Sequence, residues 1–175
     1  KKKKTKNYVI GVLKLLIKLF EILKKESLVF FIFFFTVLID QASKHLIIAN
    51  KLLFYKGIEL LSWFNLVYVE NKGISFGILS EFNISFYLGI ISFLVSFYII
   101  YLIKNSTQKK EKVALSLILG GAVGNGIDRI TNNYVVDFID LYFNDFHWPA
   151  FNFADSFITI GGILYFWLIL FKNNE

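Results

Sequence analysis

The stretch LVFFIFFFTVLI occupies residues 28–39, and Thr36 is its only polar member. A second stretch, residues 84–103, carries no charged side chain. Of the 175 residues, 56% are hydrophobic and 18% are charged, whereas soluble domains have about 45–50% and about 25%. A soluble protein of this length has no core large enough to bury such runs on all sides. The sequence therefore predicts an integral membrane protein.

Windows of about 20 apolar residues predict four transmembrane helices. These spans cover residues 28–49, 84–103, 113–130 and 154–171. Lysines concentrate before the first span and between the second and third, whereas the last long loop has three Asp and no Lys or Arg. Because Lys and Arg favour cytoplasmic loops, we expect both termini in the cytoplasm. The spans and loops together, residues 28–172, form one predicted domain.

The two outer loops, residues 50–83 and 131–153, are expected outside the cytoplasm. Residues 58–61 and 63–69 are rich in β-branched and aromatic side chains, which predicts short strands there. The predicted fold is thus an all-α bundle of four transmembrane helices with a small, β-rich extracytoplasmic subdomain.

Residues 1–27 are Lys-rich and are predicted to form an amphipathic helix on the cytoplasmic membrane surface. Their charged residues are spaced so that several share one helical face, as in helices that bind anionic leaflets. A signal peptide is the alternative interpretation. Residues 173–175 would be a short cytoplasmic tail.

With this topology, the ionisable residues within or beside the spans, apart from Lys104 and Lys172, gather at the outer ends of the helices. Charged groups at membrane depth are costly and usually mark function. The sequence therefore predicts a site at the outer membrane–water boundary. The residues concerned are Asp40, Lys44, Asp128, Arg129, Asp137 and Asp155.

Composition excludes several chemistries. The chain has no Cys, which excludes thiolate nucleophiles and thiolate metal sites. Its two His are too few for a His-rich zinc site, so no metal or cofactor is expected. The net charge of +6 comes largely from lysines that flank membrane spans, so no nucleic-acid partner is expected.

Two serine-based alternatives are weak. The segment from Gly73 to Gly77 fits the G-x-S-x-G pattern around Ser75, but neither His has an accompanying acid motif. Ser43 and Lys44 are adjacent, and neighbouring helical residues point about 100° apart. Lys44 lies one turn after Asp40 instead, which predicts a structural ion pair. The functional alternative is that this pair anchors a substrate headgroup.

Carboxylates remain as the chemistry that the composition permits. Two Asp that share a site do not both ionise readily, so one can hold a proton while the other activates water. Asp128 precedes Arg129, which predicts a structural pair. From the residues alone, the choice among the others stays open. The candidates are Asp128, Asp137, Asp140, Asp145 and Asp155.

Small and amide residues complete the pattern. The segment from Gly120 to Gly124 is a small-xxx-small motif that predicts close helix packing. Asn71, Asn125 and Asn152 are expected near the outer surface, where amides can brace carboxylates or bind a peptide backbone.

Five blocks of sequence, in family order, resemble the lipoprotein signal peptidases, also called signal peptidase II. Two of them are specific: GGAVGNGIDR (residues 120–129) and PAFNFADSFITIG (residues 149–161). The others are DQASK (residues 40–44), NKG with a following FG (residues 71–77) and VVDFID (residues 135–140). The segment at Ile74 and Ser75 departs from the small residues usual in the family.

The resemblance implies a membrane aspartic endopeptidase of the bacterial cytoplasmic (inner) membrane, with its active site at the outer face. Such an enzyme removes signal peptides from prolipoproteins, cutting before a cysteine that carries a diacylglyceryl group. Its partners would be these lipid-modified precursors and membrane lipids, and a monomer is expected. The alternatives are a non-catalytic four-span lipoprotein-binding protein and, less in keeping with one-sided acids, a transporter.

The resemblance also assigns residues. The catalytic pair falls on Asp137 and Asp155. The positions that support the site or contact substrate are Asp40, Lys44, Asn71, Gly73, Asn125, Asp128, Arg129, Asn152 and Ala154.

Overall fold

The computed structural model describes residues 26–73 and 84–171, together with Ile10, Val12, Leu13, Lys14 and Ile17. Most of the predicted surface helix in residues 1–27 lies outside these described residues. So do the G-x-S-x-G serine and the predicted tail, residues 173–175.

Residues 26–73 and 84–171 contain nine helices and strands. They follow in the order α1 (Ser27–Ala49), α2 (Lys51–Phe54), β1 (Ile58–Leu61), β2 (Phe64–Asn71), α3 (Ser85–Asn105), α4 (Lys109–Asn132), β3 (Val135–Phe143), β4 (Phe146–His147) and α5 (Phe153–Leu170). The helices α1, α3, α4 and α5 are long and apolar enough to cross a membrane. The four predicted spans are confirmed.

The third long helix begins earlier than its apolar run predicts. Residues 109–112 were expected in a loop, but they form the first turn of α4, and the connection from α3 shortens to residues 106–108. Hydropathy marks only the lipid-buried part of a helix, whereas helical hydrogen bonds continue into the headgroup layer. At its other end α4 stops where Asn133 adopts a left-handed conformation with φ of 61°.

Helix α4 lies at the centre of the bundle, and α1, α3 and α5 pack against it. In its most apolar window 61% of the residues are buried, against 22% or less in the other three helices. Ile99 and Ile103 of α3 pack with Leu115 and Leu119 of α4 in one apolar cluster. This central position explains why α4 contains several glycines, because the neighbouring helices approach it closely from several sides.

The close packing predicted for the α4 glycines is confirmed at its contact with α1. A Cβ at Gly120 would lie 2.6 Å from Cβ of Thr36, and one at Gly124 would lie 2.5 Å from a carboxylate oxygen of Asp40. Only a residue without a side chain lets α1 approach at these points.

The predicted β-rich subdomain is a four-stranded antiparallel sheet in the order β1-β2-β3-β4. Strands β1 and β2 lie where the sequence predicts strands. Strands β3 and β4 were not predicted; they lie in the segment expected to be an outer loop. The sheet contacts α1 through a buried cluster of Ile47, Val136 and Phe138.

Strand β3 separates two candidate carboxylates. Side chains alternate between the two faces of a strand, and Asp137 and Asp140 are three residues apart. They therefore point to opposite faces. Val136 and Phe138 lie on the face of Asp140 and pack on Ile47 of α1, which leaves Asp137 facing the other way.

Two neighbouring glycines of α5 give a test of this packing. A Cβ at Gly161 would lie 2.6 Å from the carbonyl oxygen of Ala114, whereas one at Gly162 would meet nothing within 4 Å. We expect Gly161→Ala to lower the unfolding free energy by about 1–3 kcal/mol through overpacking. Gly162→Ala should be neutral or stabilising by about 0.5–1 kcal/mol. Thermal unfolding in detergent measures both, and equal melting temperatures for the two variants would contradict the α4–α5 contact.

Candidate active site

The polar network starts from one buried ammonium group, that of Lys44 on α1. This residue is only 1% exposed. Its Nζ lies 2.9 Å from Oδ2 of Asp40 and 2.8 Å from Oδ2 of Asp128, and it donates a 2.8 Å hydrogen bond to Oδ1 of Asn125. A charge without water is tolerated only when it is paired and hydrogen-bonded. These contacts therefore fix α1 and α4 against each other.

One predicted ion pair is confirmed and the other is wrong. Asp40 and Lys44 pair as their spacing of four predicts. Asp128 pairs with Lys44 rather than with Arg129, and no ion pair within 4.0 Å joins Asp128 to Arg129, both of which are described. Adjacent helical residues point about 100° apart, so the two side chains diverge. Arg129 instead donates a 3.3 Å hydrogen bond to the carbonyl oxygen of Gly73.

Gln41 belongs to the same network, although it was not among the residues predicted for the site. Its Nε2 lies 3.1 Å from Oδ2 of Asp40, 3.1 Å from Oδ1 of Asp128 and 3.2 Å from the carbonyl oxygen of Gly124. It thus joins the two carboxylates that flank the ammonium group. Its position directly after Asp40 in the motif DQASK (residues 40–44) could have indicated this role. However, an adjacent helical residue is normally expected on a different helix face.

The start of α5 is tied to this cluster through its backbone. Oδ1 of Asp40 accepts a 2.9 Å hydrogen bond from the amide of Ala154. Asn152 caps the helix, since its Oδ1 accepts a 2.9 Å bond from the amide of Asp155, and a carboxylate oxygen of Asp155 accepts a 3.3 Å bond from the amide of Asn152. This reciprocal capping box holds Asp155 in the first turn of α5.

Asn125 connects the cluster around Lys44 to Asp155. Its Nδ2 donates a 2.8 Å hydrogen bond to Oδ1 of Asp155, while its Oδ1 accepts from Lys44 at 2.8 Å and from Nδ2 of Asn152 at 3.2 Å. The amide is therefore fixed on both sides. The buried ammonium group of Lys44 thus fixes the orientation of the Asn125 amide that donates to Asp155.

Two amides hold Asp137, which is only 2% exposed. Nδ2 of Asn152 donates to one carboxylate oxygen at 2.7 Å, and Nδ2 of Asn71 donates to the other at 2.9 Å. Oδ1 of Asn71 in turn accepts from the amide of Gly73 at 3.1 Å. Asn152 thus contacts both Asp137 and Asp155, and the predicted bracing of carboxylates by amides is what the structure shows.

Burial raises the pKa of Asp137 to about 7. The negative charge of Asp155 adds to this rise, whereas the hydrogen bonds from Asn71 and Asn152 and the positive charge of Lys44 oppose it. Desolvation outweighs these opposing contributions. Near neutral pH, Asp137 is therefore able to hold or release a proton.

Asp137 and Asp155 line one cavity of about 560 Å³ between the sheet, the C-terminal end of α4 and the N-terminal end of α5. Asn71, Asn125 and Arg129 line it as well. The remaining wall is mostly apolar and comes from Val135 of β3, from the segment before α5 and from the first two turns of α5. This volume lies in the range of small-ligand and peptide pockets.

The other predicted supporting residues lie behind this cavity. Asp40, Lys44, Asp128 and Ala154 are buried and are absent from its lining. The structure therefore favours the structural interpretation of the Asp40–Lys44 pair over the headgroup anchor.

Asp140 and His147 form a pair that the sequence analysis missed. Nδ1 of His147 lies 2.9 Å from Oδ1 of Asp140, and Nδ2 of Asn65 donates to Oδ2 at 2.9 Å. Asp140 was expected in a solvated loop, but it is only 7% exposed in β3. His147 therefore has an acid partner, although no acid motif accompanies it in the sequence. Neither residue lines the cavity, because β3 directs Asp140 to the opposite face.

Asp145 and Ser43 are placed away from the site. Asp145 is exposed in the turn between β3 and β4, and Ser43 Oγ donates to the backbone oxygen of Asp40 at 2.8 Å. Within residues 26–73 and 84–171, no cluster of three or more His, Asp or Glu side chains is suited to a metal ion.

Comparison with known proteins gives a family match over most of the chain. Residues 32–171 match the family described as Signal peptidase (SPase) II. The chain is 42% identical over 142 residues to a lipoprotein signal peptidase of Alteromonas mediterranea, covering 79% of this chain and 77% of the relative. It is 45% identical over 141 residues to one of Thermodesulfovibrio yellowstonii, covering 80% of this chain and 90% of that relative.

The fold also matches a solved structure, that of a bacterial membrane enzyme determined by the in meso method at 2.3 Å resolution. The TM-score is 0.73 and the sequence identity 34%, and the match covers 84% of this chain and 90% of the other. Four long helices and a small sheet are thus an architecture that a known membrane enzyme shares.

The buried ammonium group predicts a large difference between two lysine substitutions. Lys44→Met leaves Asp40 and Asp128 as uncompensated buried charges, so we expect a loss of about 3–5 kcal/mol in unfolding free energy. Lys112→Met breaks a partly exposed pair with Glu26, and we expect about 0–1 kcal/mol. Thermal unfolding of both variants measures this. Equal, small losses would show that the cluster around Lys44 does not hold the helices.

The raised pKa of Asp137 predicts how stability depends on pH. Between about pH 4 and 7, Asp137 keeps a proton in the folded protein that it has lost in the unfolded chain. The unfolding free energy therefore falls as pH rises through this window, by at most about 4 kcal/mol. Asp137→Asn should therefore gain in melting temperature relative to wild type from pH 5 to pH 8. The exposed Asp145→Asn is the control and should show no such trend. A constant offset for both variants would contradict the shifted pKa.

Proposed function

Because this chain belongs to the signal peptidase II family, we propose that it is a membrane aspartic endopeptidase that removes signal peptides from lipid-modified prolipoproteins. The amide bond cleaved precedes the cysteine that carries the diacylglyceryl group. The observation that carries the aspartic mechanism is that Asp137 and Asp155 line one cavity and both hydrogen-bond to Asn152. The relatives are named lipoprotein signal peptidases, which supports the substrate class.

In the proposed reaction, Asp155 is the base. It lies at the N-terminal end of α5, and helix N-termini stabilise negative charge. A water molecule between the two aspartates gives a proton to Asp155, and its oxygen bonds to the carbonyl carbon of the scissile amide. The donors from Asn125 and Asn152 hold the carboxylate in one orientation.

Asp137 is the proposed acid. With a pKa of about 7, it can carry a proton at neutral pH and transfer it to the scissile carbonyl oxygen as the water attacks, which gives a tetrahedral gem-diol intermediate. When the tetrahedral intermediate collapses, the C–N bond breaks and Asp155 passes its proton to the departing amine of the cysteine. Asp137 regains its proton from the new carboxyl group, so the dyad returns to its starting state.

The residues around the dyad divide into two proposed roles. Asn71, Asn125 and Arg129 line the cavity, so we assign them to contacts with the peptide backbone as well as to support. Asp40 and Lys44, with their partners behind the cavity, position the start of α5 and the amide of Asn125. Together with Gly73 and Asn152, these are the residues that the family resemblance assigns to the site.

We also propose that the cavity faces the outer side of the cytoplasmic membrane and that both termini are cytoplasmic. The lysines of residues 104–112 lie at the end of the bundle opposite to Asp137 and Asp155 along α4, and Lys-rich loops favour the cytoplasm. A lipid-modified cysteine is held at headgroup depth, which suits a cavity at the boundary of the spans. One chain supplies all of the dyad's described partners, which supports a monomer.

Three Asp→Asn variants test the mechanism. Asp137→Asn removes the acid and Asp155→Asn removes the base, so each should lower kcat for a lipidated precursor at least about 10³-fold while the protein stays folded. Asp140→Asn is the matched control: it is a buried carboxylate on the same strand that faces away from the cavity, and it should retain kcat within about threefold. Cleavage by purified protein, followed by mass spectrometry of the products, measures this.

The outcomes separate the alternatives. Turnover near that of wild type in either dyad variant would refute the two-aspartate mechanism. If the wild-type protein bound the lipidated precursor without cleaving it, the non-catalytic binding protein would be the correct interpretation.

A further inference from the structure

An apolar groove lies between α1 and α3 on the surface of α4, separate from the cavity that holds the dyad. It encloses about 550 Å³, and none of its lining residues lines that cavity. Val29 and Phe33 of α1, Ile103 of α3 and Leu119 of α4 form part of its wall. A groove of this kind on a membrane-spanning bundle opens to lipid, so its natural occupant is a hydrocarbon chain.

The length of the groove corresponds to one leaflet of a bilayer. Lys112 and Val123 of α4 both line it, and they are eleven positions apart in the helix. At about 1.5 Å per residue, this spans about 16 Å. The hydrocarbon core of a bilayer is about 30 Å thick, so the groove extends from the headgroup layer to near the midplane.

Charged side chains lie only at one end of the groove. Lys104 and Lys112 line it there together with Glu26. Lys112 forms an ion pair with Glu26 at 2.5 Å, whereas Lys104 has no ion pair within 4.0 Å in the part of the chain that is described. Two lysines and one glutamate leave a net charge of +1 beside an apolar channel.

We propose that this groove is a binding site for a phospholipid with an anionic headgroup. One acyl chain lies along Val29, Phe33 and Leu119, and the ammonium group of Lys104 donates hydrogen bonds to the phosphate. The Lys112–Glu26 pair closes the headgroup end of the groove. The bound lipid contacts α1 and α3 at once, so it stabilises the position of α1, the helix that carries Lys44.

Native mass spectrometry of the purified full-length protein in detergent tests the site, with phosphatidylglycerol and phosphatidylcholine as separate probes. We expect one phosphatidylglycerol to be retained, with a rise in melting temperature, and weaker retention of phosphatidylcholine. Lys104→Gln should lower affinity for phosphatidylglycerol about fivefold, the effect of one lysine near an anionic headgroup. Val29→Trp fills the groove and should abolish retention of both lipids.

Lys109→Gln is the control, because Lys109 begins α4 at the same end of the bundle as Lys104 at the end of α3, but lines a different pocket. Its affinity for phosphatidylglycerol should equal that of wild type. Equal losses in Lys104→Gln and Lys109→Gln would overturn the proposal in favour of general surface attraction. Equal affinity for the two lipids would also overturn it, since the headgroup would then not be recognised.

The chain's own N-terminal segment is the competing occupant. The protein has no cysteine, so the double variant Leu13→Cys, Phe34→Cys reports their proximity through disulfide formation without background. We expect no disulfide in the presence of phosphatidylglycerol. A disulfide that forms readily and is not prevented by the lipid would show that the N-terminal segment fills the groove, and would overturn the proposal.

Discussion

The burial of one positive charge governs the membrane part of this protein. Moving the ammonium group of Lys44 out of water costs several kcal/mol unless carboxylates replace the lost hydration. Asp40 of α1 and Asp128 of α4 do so within 3 Å, which restricts how the two helices can pack. Asp40 also accepts a hydrogen bond from the amide of Ala154. The same cluster therefore sets where α5 begins and where Asp155 lies.

Amide side chains connect the charge cluster around Lys44 to Asp137 and Asp155. An asparagine has both a donor and an acceptor, so it can join two acidic groups without adding charge. Asn125 links the cluster to Asp155, and Asn152 links Asp155 to Asp137. In surroundings of low polarity each such bond matters more than it would in water. The raised pKa of Asp137 is thus produced in a site whose geometry is already fixed.

Much of this arrangement follows from the sequence by local rules. Apolar windows located the four spans, and a spacing of four located the Asp40–Lys44 pair. Contacts between distant segments could not be predicted from the sequence. The segment at residues 131–153 was expected to be an outer loop, because its Asp residues obscure the apolar pattern of β3. Recognising that strand would have separated Asp137 from Asp140 by the two-residue period. The partner of Asp128 required knowledge of how α1 packs on α4. The family resemblance, rather than the residues alone, selected Asp137.

In the proposed reaction, water activated by two aspartates attacks the scissile carbonyl carbon, with no covalent bond between peptide and enzyme. A single turnover in ¹⁸O-labelled water, with protein in excess over a lipidated precursor, distinguishes this step from attack by a carboxylate. Attack by water places one ¹⁸O atom in the new carboxyl group of the released signal peptide and none in Asp137 or Asp155. Label in either side chain, with an unlabelled peptide carboxyl group, would show that a carboxylate attacks the substrate instead, and would rule out the proposed reaction.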